Sequence, residues 1–445
     1  MEKEVFPTII KRLGGFRMTA EIVLMNPRGV ALAADSAVAI GRERKVYHSA
    51  KKLFELAPHV PVGVMIYGVE SLFNVPWETL IKMYGNELNN QRFPTLKEYV
   101  QGFIRFLNDN EYEAFMSDVN EVNFINRTVN EEIERLYEKL LTISRELYGE
   151  YGELHLQEEI QLLYVEHGGN FLKESLRTLE ESKFIPVFDE EDFTFLLENY
   201  GGEIERLIEE KFESHLFVGD WMEWITHIVI LRLLKKFTDA KSGIVFTGFG
   251  EKEIYPSVIS FYVEGKINGK LKYCLLRDRT KKIDHSLNST ILPFAQTEMV
   301  HSFIRGIHRD IEGYTEYVLS KELENLTNNL VEKLAPSLRS EADLGSVRNQ
   351  VEEAAIDVYH TFIKHSNHYQ ERYFIDPIMD VVGSLPVVEL AHMAEALLNI
   401  ASYKMKMSPN LETVGGPIDV AIITKGDGFT WIKQKHGDRS GVPNG

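Results

Sequence analysis

Cysteine is almost missing from this sequence, because Cys274 is the single one among 445 residues. One thiol excludes an internal disulfide framework and a cysteine-rich zinc site, and it is typical of proteins of a reducing compartment. Basic residues are also scarce: 49 Lys and Arg stand against 67 Asp and Glu, which gives a net charge of −18. Phosphate backbones and anionic membranes are bound by basic faces, so the composition argues against nucleic acid and membrane partners.

Long apolar runs are absent as well. The most apolar helical stretch, 221–234, is interrupted by Glu223, His227 and Arg232. It falls far short of the roughly 20 apolar residues that span a bilayer. The first seventeen residues contain no apolar core of the length that a signal peptide needs. We therefore expect a cytoplasmic protein.

The order of hydropathy patterns divides the chain into four regions. Residues 1–18 are a leader or an extension, and residues 19–85 carry short strands that form the first half of a core. Residues 86–237 are predicted to be an acidic helical insertion. Residues 238–445 return to strands, continue with extended helices and end in a β-hairpin. This order predicts an α+β fold with layered sheets and helices.

Turn residues place several connections. The segments 26–29 (NPRG), 268–269 (NG) and 426–428 (GDG) each separate two apolar runs and predict hairpin turns. The segment 71–85 (SLFNVPWETLIKMYG) is predicted to be a helix.

Residues that carry chemistry stand at the ends of the first predicted strands. They are Thr19, Asp35 with Ser36, Lys51 with Lys52, and Gly68. Alternation along the third strand puts Lys52, Phe54 and Leu56 on one face, so that an ammonium would lie among apolar side chains. A desolvated lysine beside an aspartate suits the activation of a nucleophile.

The stretch from Thr19 to Gly68 resembles the catalytic half of proteasome β-type subunits, including their bacterial relatives HslV and Anbu. These proteins are N-terminal-nucleophile threonine hydrolases. The segments GVALAADS and KKLFEL match the family's pattern, and Asp35 follows Thr19 by 35 − 19 = 16 residues, as in the family. Residues 243–265 and 413–432 resemble the family's middle and last strands, in the family's order. The resemblance implies a four-layer αββα sandwich, here with large helical insertions.

The resemblance also implies roles for individual residues. Thr19 would be the nucleophile with its own α-amine as the base, Lys52 would act electrostatically, Asp35 would hold Lys52, and the Gly68 N–H would stabilise the oxyanion. Counting without a gap selects Lys51 as the catalytic lysine; the KKLFEL motif selects Lys52, which we prefer.

Further site residues follow from the same resemblance. The substrate cleft would be lined by Val38, Ala39 and Ile66. Supporting positions would be Ser36, Lys51, Glu412, Thr413 and Gly415. No metal or other cofactor is predicted.

An N-terminal nucleophile requires removal of residues 1–18. Met18 directly precedes Thr19, so translation from Met18 followed by methionine removal would expose the threonine. We expect residues 1–17 to be an extension or a disposable leader.

Three functions are compatible with these residues. The first is a proteasome-like threonine peptidase that hydrolyses peptide or protein substrates. The second is an amidase that acts on a small molecule, with the insertion as a lid. The third is an inactive proteasome-like scaffold whose acidic helices bind a partner. The resemblance further implies a homo-oligomer, and it is compatible with an ATPase or other protein partner.

Overall fold

The computed structural model describes residues 20–36, 38–40, 45–47, 51–108, 117–151, 157–212, 219–295, 298–337, 341–407 and 416–434. Within these ranges the chain combines long helices with two large antiparallel sheets, which agrees with the predicted α+β class. None of the described helices has the length and hydropathy that crossing a membrane would require.

We number the described strands from the N-terminus. They are β1 (Ala20–Asn26), β2 (Gly29–Asp35), β3 (Val38–Ile40), β4 (Lys45–Tyr47), β5 (Leu53–Glu55), β6 (Val62–Gly68), β7 (Ser71–Leu72), β8 (Val75–Pro76), β9 (Ser242–Gly248), β10 (Ser257–Ile267), β11 (Lys270–Leu275), β12 (Lys281–Lys282), β13 (Thr290–Ala295), β14 (Ile418–Thr424) and β15 (Gly428–Lys433). The first sheet has the order β13-β1-β2-β14-β15, and the second has the order β11-β10-β9-β6-β5.

The described helices follow the same convention. They are α1 (Trp77–Glu87), α2 (Leu96–Asn108), α3 (Asp118–Tyr151), α4 (Gln157–Glu181), α5 (Glu190–Lys211), α6 (Trp221–Lys235), α7 (Glu298–Arg305), α8 (Arg309–Leu334), α9 (Glu341–Gln370), α10 (Asp376–Ser384) and α11 (Val387–Lys406). One π-helical turn, Glu371–Ile375, joins α9 to α10.

Side chains of β1 alternate between two apolar cores, and this alternation defines the layers. Val23 and Met25 pack with Met65 and Val245 of the second sheet, so the two sheets face each other. The intervening residues of β1 point to the opposite face of the first sheet. Every residue of β1 is buried, as expected for a strand covered on both faces.

Helices cover the outer face of each sheet. On the first sheet, Leu390, Ala394 and Leu397 of α11 recur at helical spacing and pack on the side chains that β1 and β2 turn outwards. On the second sheet, α1 and α2 bury their apolar faces against β6 and β9. Helix α2 lies within the predicted 86–237 insertion, but it packs on the sheet and belongs to this outer layer.

Helices α3 to α6 form a separate apolar core that reaches the second sheet through one hairpin. Strand β10 pairs with β9 as far as Val263, opposite Ser242, and then continues to Ile267. Ile267 is fully buried in the core of these helices. Ser242 is also the partner of Gly68, so the helices dock beyond the sheet end at which Gly68 lies.

The register confirms two predicted turns, and the third lies close to its predicted position. Asn26 pairs with Gly29 around one turn, and Ile267 pairs with Lys270 around another. The last hairpin turns between Thr424 and Gly428.

The helix predicted for 71–85 is wrong over its first six residues. These residues form the hairpin β7–β8, and α1 starts at Trp77. Phe73 and Asn74 have φ of 50° and 63°, which a helix does not allow.

Candidate active site

The lysine Lys52 lies between two carboxylates. Its Nζ is 2.6 Å from Oδ1 of Asp35 and 3.1 Å from Oε1 of Glu21. All three residues are buried; Asp35 and Lys52 are each 3% exposed and Glu21 is 0% exposed. Ion pairs screened so little by water interact strongly, so the three side chains form one electrostatic unit.

The hairpin of β1 and β2 places the two carboxylates. Glu21 is opposite Ala34 in this hairpin, so Asp35 ends β2 beside the first residues of β1. The N–H of Ala20 donates to Oδ1 of Asp35 at 3.2 Å. The same oxygen therefore holds both the Lys52 ammonium and the start of β1. Thr19, which precedes Ala20 in the sequence, lies outside the described residues.

The structure places Lys52, not Lys51, beside Asp35. Lys51 bonds Glu78 of α1 at 3.2 Å and lies over the ring of Phe54 at 5.4 Å. The prediction that Lys52 shares a face with Phe54 is wrong. Phe54 packs towards α1 and α2, on the outer face of the second sheet. Lys52 precedes β5 and extends to the first sheet instead.

The pKa of Lys52 is raised above its ordinary value. Burial by itself lowers the pKa of this ammonium, but the charges and hydrogen bonds of Asp35 and Glu21 outweigh burial. Lys52 is therefore charged at neutral pH. A charged ammonium can stabilise negative charge or donate a proton, but it cannot act as a base.

Gly68 ends β6 at the same end of the second sheet. The N–H of Ile66 donates to the carbonyl oxygen of Lys52 at 3.0 Å, which places Gly68 two residues from this contact. Its φ is +85°, and a Cβ at this position would lie 2.5 Å from the carbonyl oxygen of Lys241. Both the backbone conformation and the close approach require glycine here.

The remaining predicted residues have different positions. Ser36 is buried, and its hydroxyl donates to the carbonyl of Pro417 at 2.9 Å, which ties the end of β2 to the segment before β14. The side chain of Ile66 is packed in the core under α1 and α2, and its place in a substrate cleft stays a prediction. Val38 and Ala39 lie on β3, paired with β4. Three predicted residues lie outside the described residues: Glu412, Thr413 and Gly415.

Glu21 is a member of this site that was not among the predicted residues. The sequence does contain an indication of its role. Glu21 is the one charged residue in the apolar run AEIVLM, which forms a strand that is buried on both faces. Its parity with Val23 and Met25 puts it on the face that opposes the second sheet. A carboxylate on such a face needs a cationic partner, and Lys52 is the lysine that opens a strand of that sheet.

A cavity of about 490 Å³ lies in the helical insertion, between α3, α6 and residues 236–240. None of the predicted site residues lines it. Among the residues that the structure describes, no group of three or more His, Cys, Asp or Glu could hold a metal ion.

Comparisons with known proteins give a distant structural likeness. No family model matches the chain, and no curated protein matches it. Among solved structures, Anbu (ancestral beta-subunit) from Yersinia bercovieri is 9% identical, and the match covers 94% of this chain and 88% of that chain with a TM-score of 0.27.

Proposed function

We propose that this protein is a proteasome-like threonine peptidase that uses Thr19 as an N-terminal nucleophile. The observation that carries the proposal is the buried ion pair of Lys52 with Asp35. The sequence motifs implied this pair, although its two residues lie on separate strands. Oδ1 of Asp35 also accepts a hydrogen bond from the N–H of Ala20, the residue that follows Thr19.

The layers support the fold that this proposal requires. The first sheet faces the second across an apolar core, α11 covers one outer face, and α1 with α2 covers the other. We propose that this is the four-layer sandwich of the N-terminal-nucleophile hydrolases.

In the proposed reaction, the neutral α-amine of Thr19 takes the proton of its own hydroxyl as Oγ bonds to the carbonyl carbon of the substrate. The charged Lys52 stabilises the developing alkoxide, and the Gly68 N–H donates to the oxyanion. The amine then gives its proton to the leaving nitrogen as the C–N bond breaks. Water then gives a proton to the amine as its oxygen bonds to the acyl carbon, and the amine passes that proton to Oγ of Thr19 as the ester bond breaks.

The test is covalent labelling of a chain expressed from Met18. We expect mass spectrometry to show a free terminal threonine and its modification by a peptide epoxyketone. The same chain carrying Thr19→Ala is expected to fold and to remain unlabelled, since this change costs at most about 1 kcal/mol of strand propensity. A terminal Thr19 that no peptide electrophile modifies would contradict the peptidase proposal.

One observation favours the second candidate, an amidase for small molecules. The helices α3 to α6 dock beyond the sheet end at which Gly68 lies, where they could restrict the size of a substrate. Hydrolysis of small amides by the chain that begins with Thr19, without cleavage of peptides, would support the amidase over the peptidase.

We also propose that the protein is a homo-oligomer, in which α3 to α6 stay outside the paired sheets and modify the assembly.

A further inference from the structure

We infer that Glu21 is a positioning residue of the proposed hydrolase, which holds Lys52 from the nucleophile's own strand and sets the pH range in which the terminal amine is active. This inference rests on the proposed function. Glu21 stands two residues after Thr19 in the sequence and is fully buried on β1.

The ammonium of Lys52 lies within ion-pair distance of two carboxylates. An ammonium has three N–H groups. Among the described residues, Nζ donates a hydrogen bond to Asp35 at 2.6 Å and lies in an ion pair with Glu21 at 3.1 Å. The two carboxylates lie on neighbouring strands, so their charges hold the ammonium from two directions. With Asp35 alone, the ammonium could rotate about a single contact.

The charges of the three residues do not cancel. One ammonium and two carboxylates carry a net charge of −1 in a region from which water is excluded. A buried negative charge favours the protonated form of a nearby amine. The α-amine of Thr19 belongs to the residue before Ala20, whose N–H binds Asp35. Glu21 is therefore expected to raise the pKa of that amine, so that the amine becomes neutral and active only at higher pH.

Other groups near Glu21 are present in both the parent chain and the Glu21 variant. Asp419 of β14 is in register with Ala34, which is itself opposite Glu21. Phe294 is opposite Glu21 on the other side, and it contacts the ring of Tyr67 and the guanidinium of Arg279. A comparison of variants at position 21 cancels their contributions.

The experiment measures the rate of epoxyketone labelling against pH for the chain that begins with Thr19 and for its Glu21→Gln variant. The labelling rate rises with pH as the terminal amine loses its proton, and we call this rise the acid limb of the profile. Removal of one buried negative charge is expected to shift the acid limb to lower pH by about one unit. Glu78→Gln is the matched control. It removes a carboxylate from the neighbouring lysine, Lys51, at a partly exposed pair, and its profile should coincide with that of the parent chain.

A second measurement does not require activity. Carbon-13 resonances of selectively labelled lysines, assigned with Lys52→Met, report the pKa of Lys52. We expect this pKa to fall in Glu21→Gln and to stay unchanged in Glu78→Gln. An unchanged acid limb, or an unchanged Lys52 titration in Glu21→Gln, overturns the inference about Glu21 while the labelling itself still supports the peptidase. Failure of the parent chain to be labelled at any pH overturns the proposed function and this inference together.

Discussion

Lys51 and Lys52 are adjacent in the sequence but have opposite environments in the structure. Lys52 is buried between Asp35 and Glu21, whereas the side chain of Lys51 is 32% exposed beside Glu78. A buried charge that loses its partner is costly, while an exposed ion pair contributes little. The two positions are therefore a natural test of which lysine serves the site.

We predict that Lys52→Ala abolishes hydrolysis and lowers the free energy of unfolding by about 3–5 kcal/mol, because it leaves two buried carboxylates without their cation. Lys51→Ala should retain activity and cost less than about 1 kcal/mol. Urea unfolding and a peptide-hydrolysis assay measure both effects. Loss of activity in Lys51→Ala with retention in Lys52→Ala would reverse the assignment.

At the scale of residues, sequence patterns identified the pair but not its surroundings. Motif matching selected Lys52 and Asp35, because the KKLFEL and GVALAADS segments carry their own spacing. Alternation failed for Lys52, since this residue precedes its strand and is not bound by the strand's parity. Glu21 was missed because β1 was interpreted only as an apolar run; the ion pair arises from contacts between sheets that one strand's pattern does not contain.

Strand β6 ends at a residue, Gly68, whose backbone conformation and surroundings both exclude a side chain. Gly68 has a φ of +85°, and its backbone approaches the carbonyl oxygen of Lys241 too closely for a Cβ. Gly269 is a useful comparison, because its φ is +70° but a Cβ there would meet nothing within 4 Å. The two glycines separate the cost of the backbone conformation from the cost of the contact.

We predict that Gly269→Ala costs about 1 kcal/mol of stability, the penalty of the left-handed conformation alone. Gly68→Ala should cost clearly more, because Lys241 or β6 must also move. Displacement of the Gly68 N–H should reduce the labelling of Thr19 by about 10²–10³-fold. Thermal unfolding and labelling rates test this; equal stability costs at the two glycines would show that the close approach has no energetic effect.

Turn chemistry made some elements predictable and left others hidden. The Asn-Gly pair at 268–269 favours a two-residue hairpin by itself, and the structure has one. The β7–β8 hairpin carries no such signal. Phe73, a bulky residue with positive φ, packs against both the core under α1 and α2 and the core of α3 to α6. Tertiary contacts with both cores accompany this conformation, and a local pattern does not predict them.

For the whole molecule, apolar exposure is concentrated in one region. More than half of the large apolar side chains that are exposed in the described residues lie between 298 and 384. They are Phe303, Ile311, Tyr314, Tyr317, Leu326, Leu330, Leu334, Ile356, Val358, Phe362, Tyr369, Tyr373, Phe374 and Val381. Helices α8 and α9 pack on each other, so each buries one seam and leaves apolar residues beside it. A concentration of exposed apolar side chains is typical of interaction surfaces.

We predict that α8 and α9 of one protomer pack on the same helices of a second copy, since two such hairpins together form a four-helix bundle that covers the exposed apolar residues beside each seam. Leu326 and Leu330 are 53% and 39% exposed on successive turns of α8. The double variant Leu326→Glu, Leu330→Glu should dissociate the assembly in sedimentation experiments at micromolar concentration. Ile254→Glu is the control, because Ile254 is 78% exposed but lies outside this region, and it should not change the assembly. A monodisperse monomer for the unmodified chain would contradict the predicted homo-oligomer, and an unchanged oligomer in the double variant would place its interface elsewhere on the molecule.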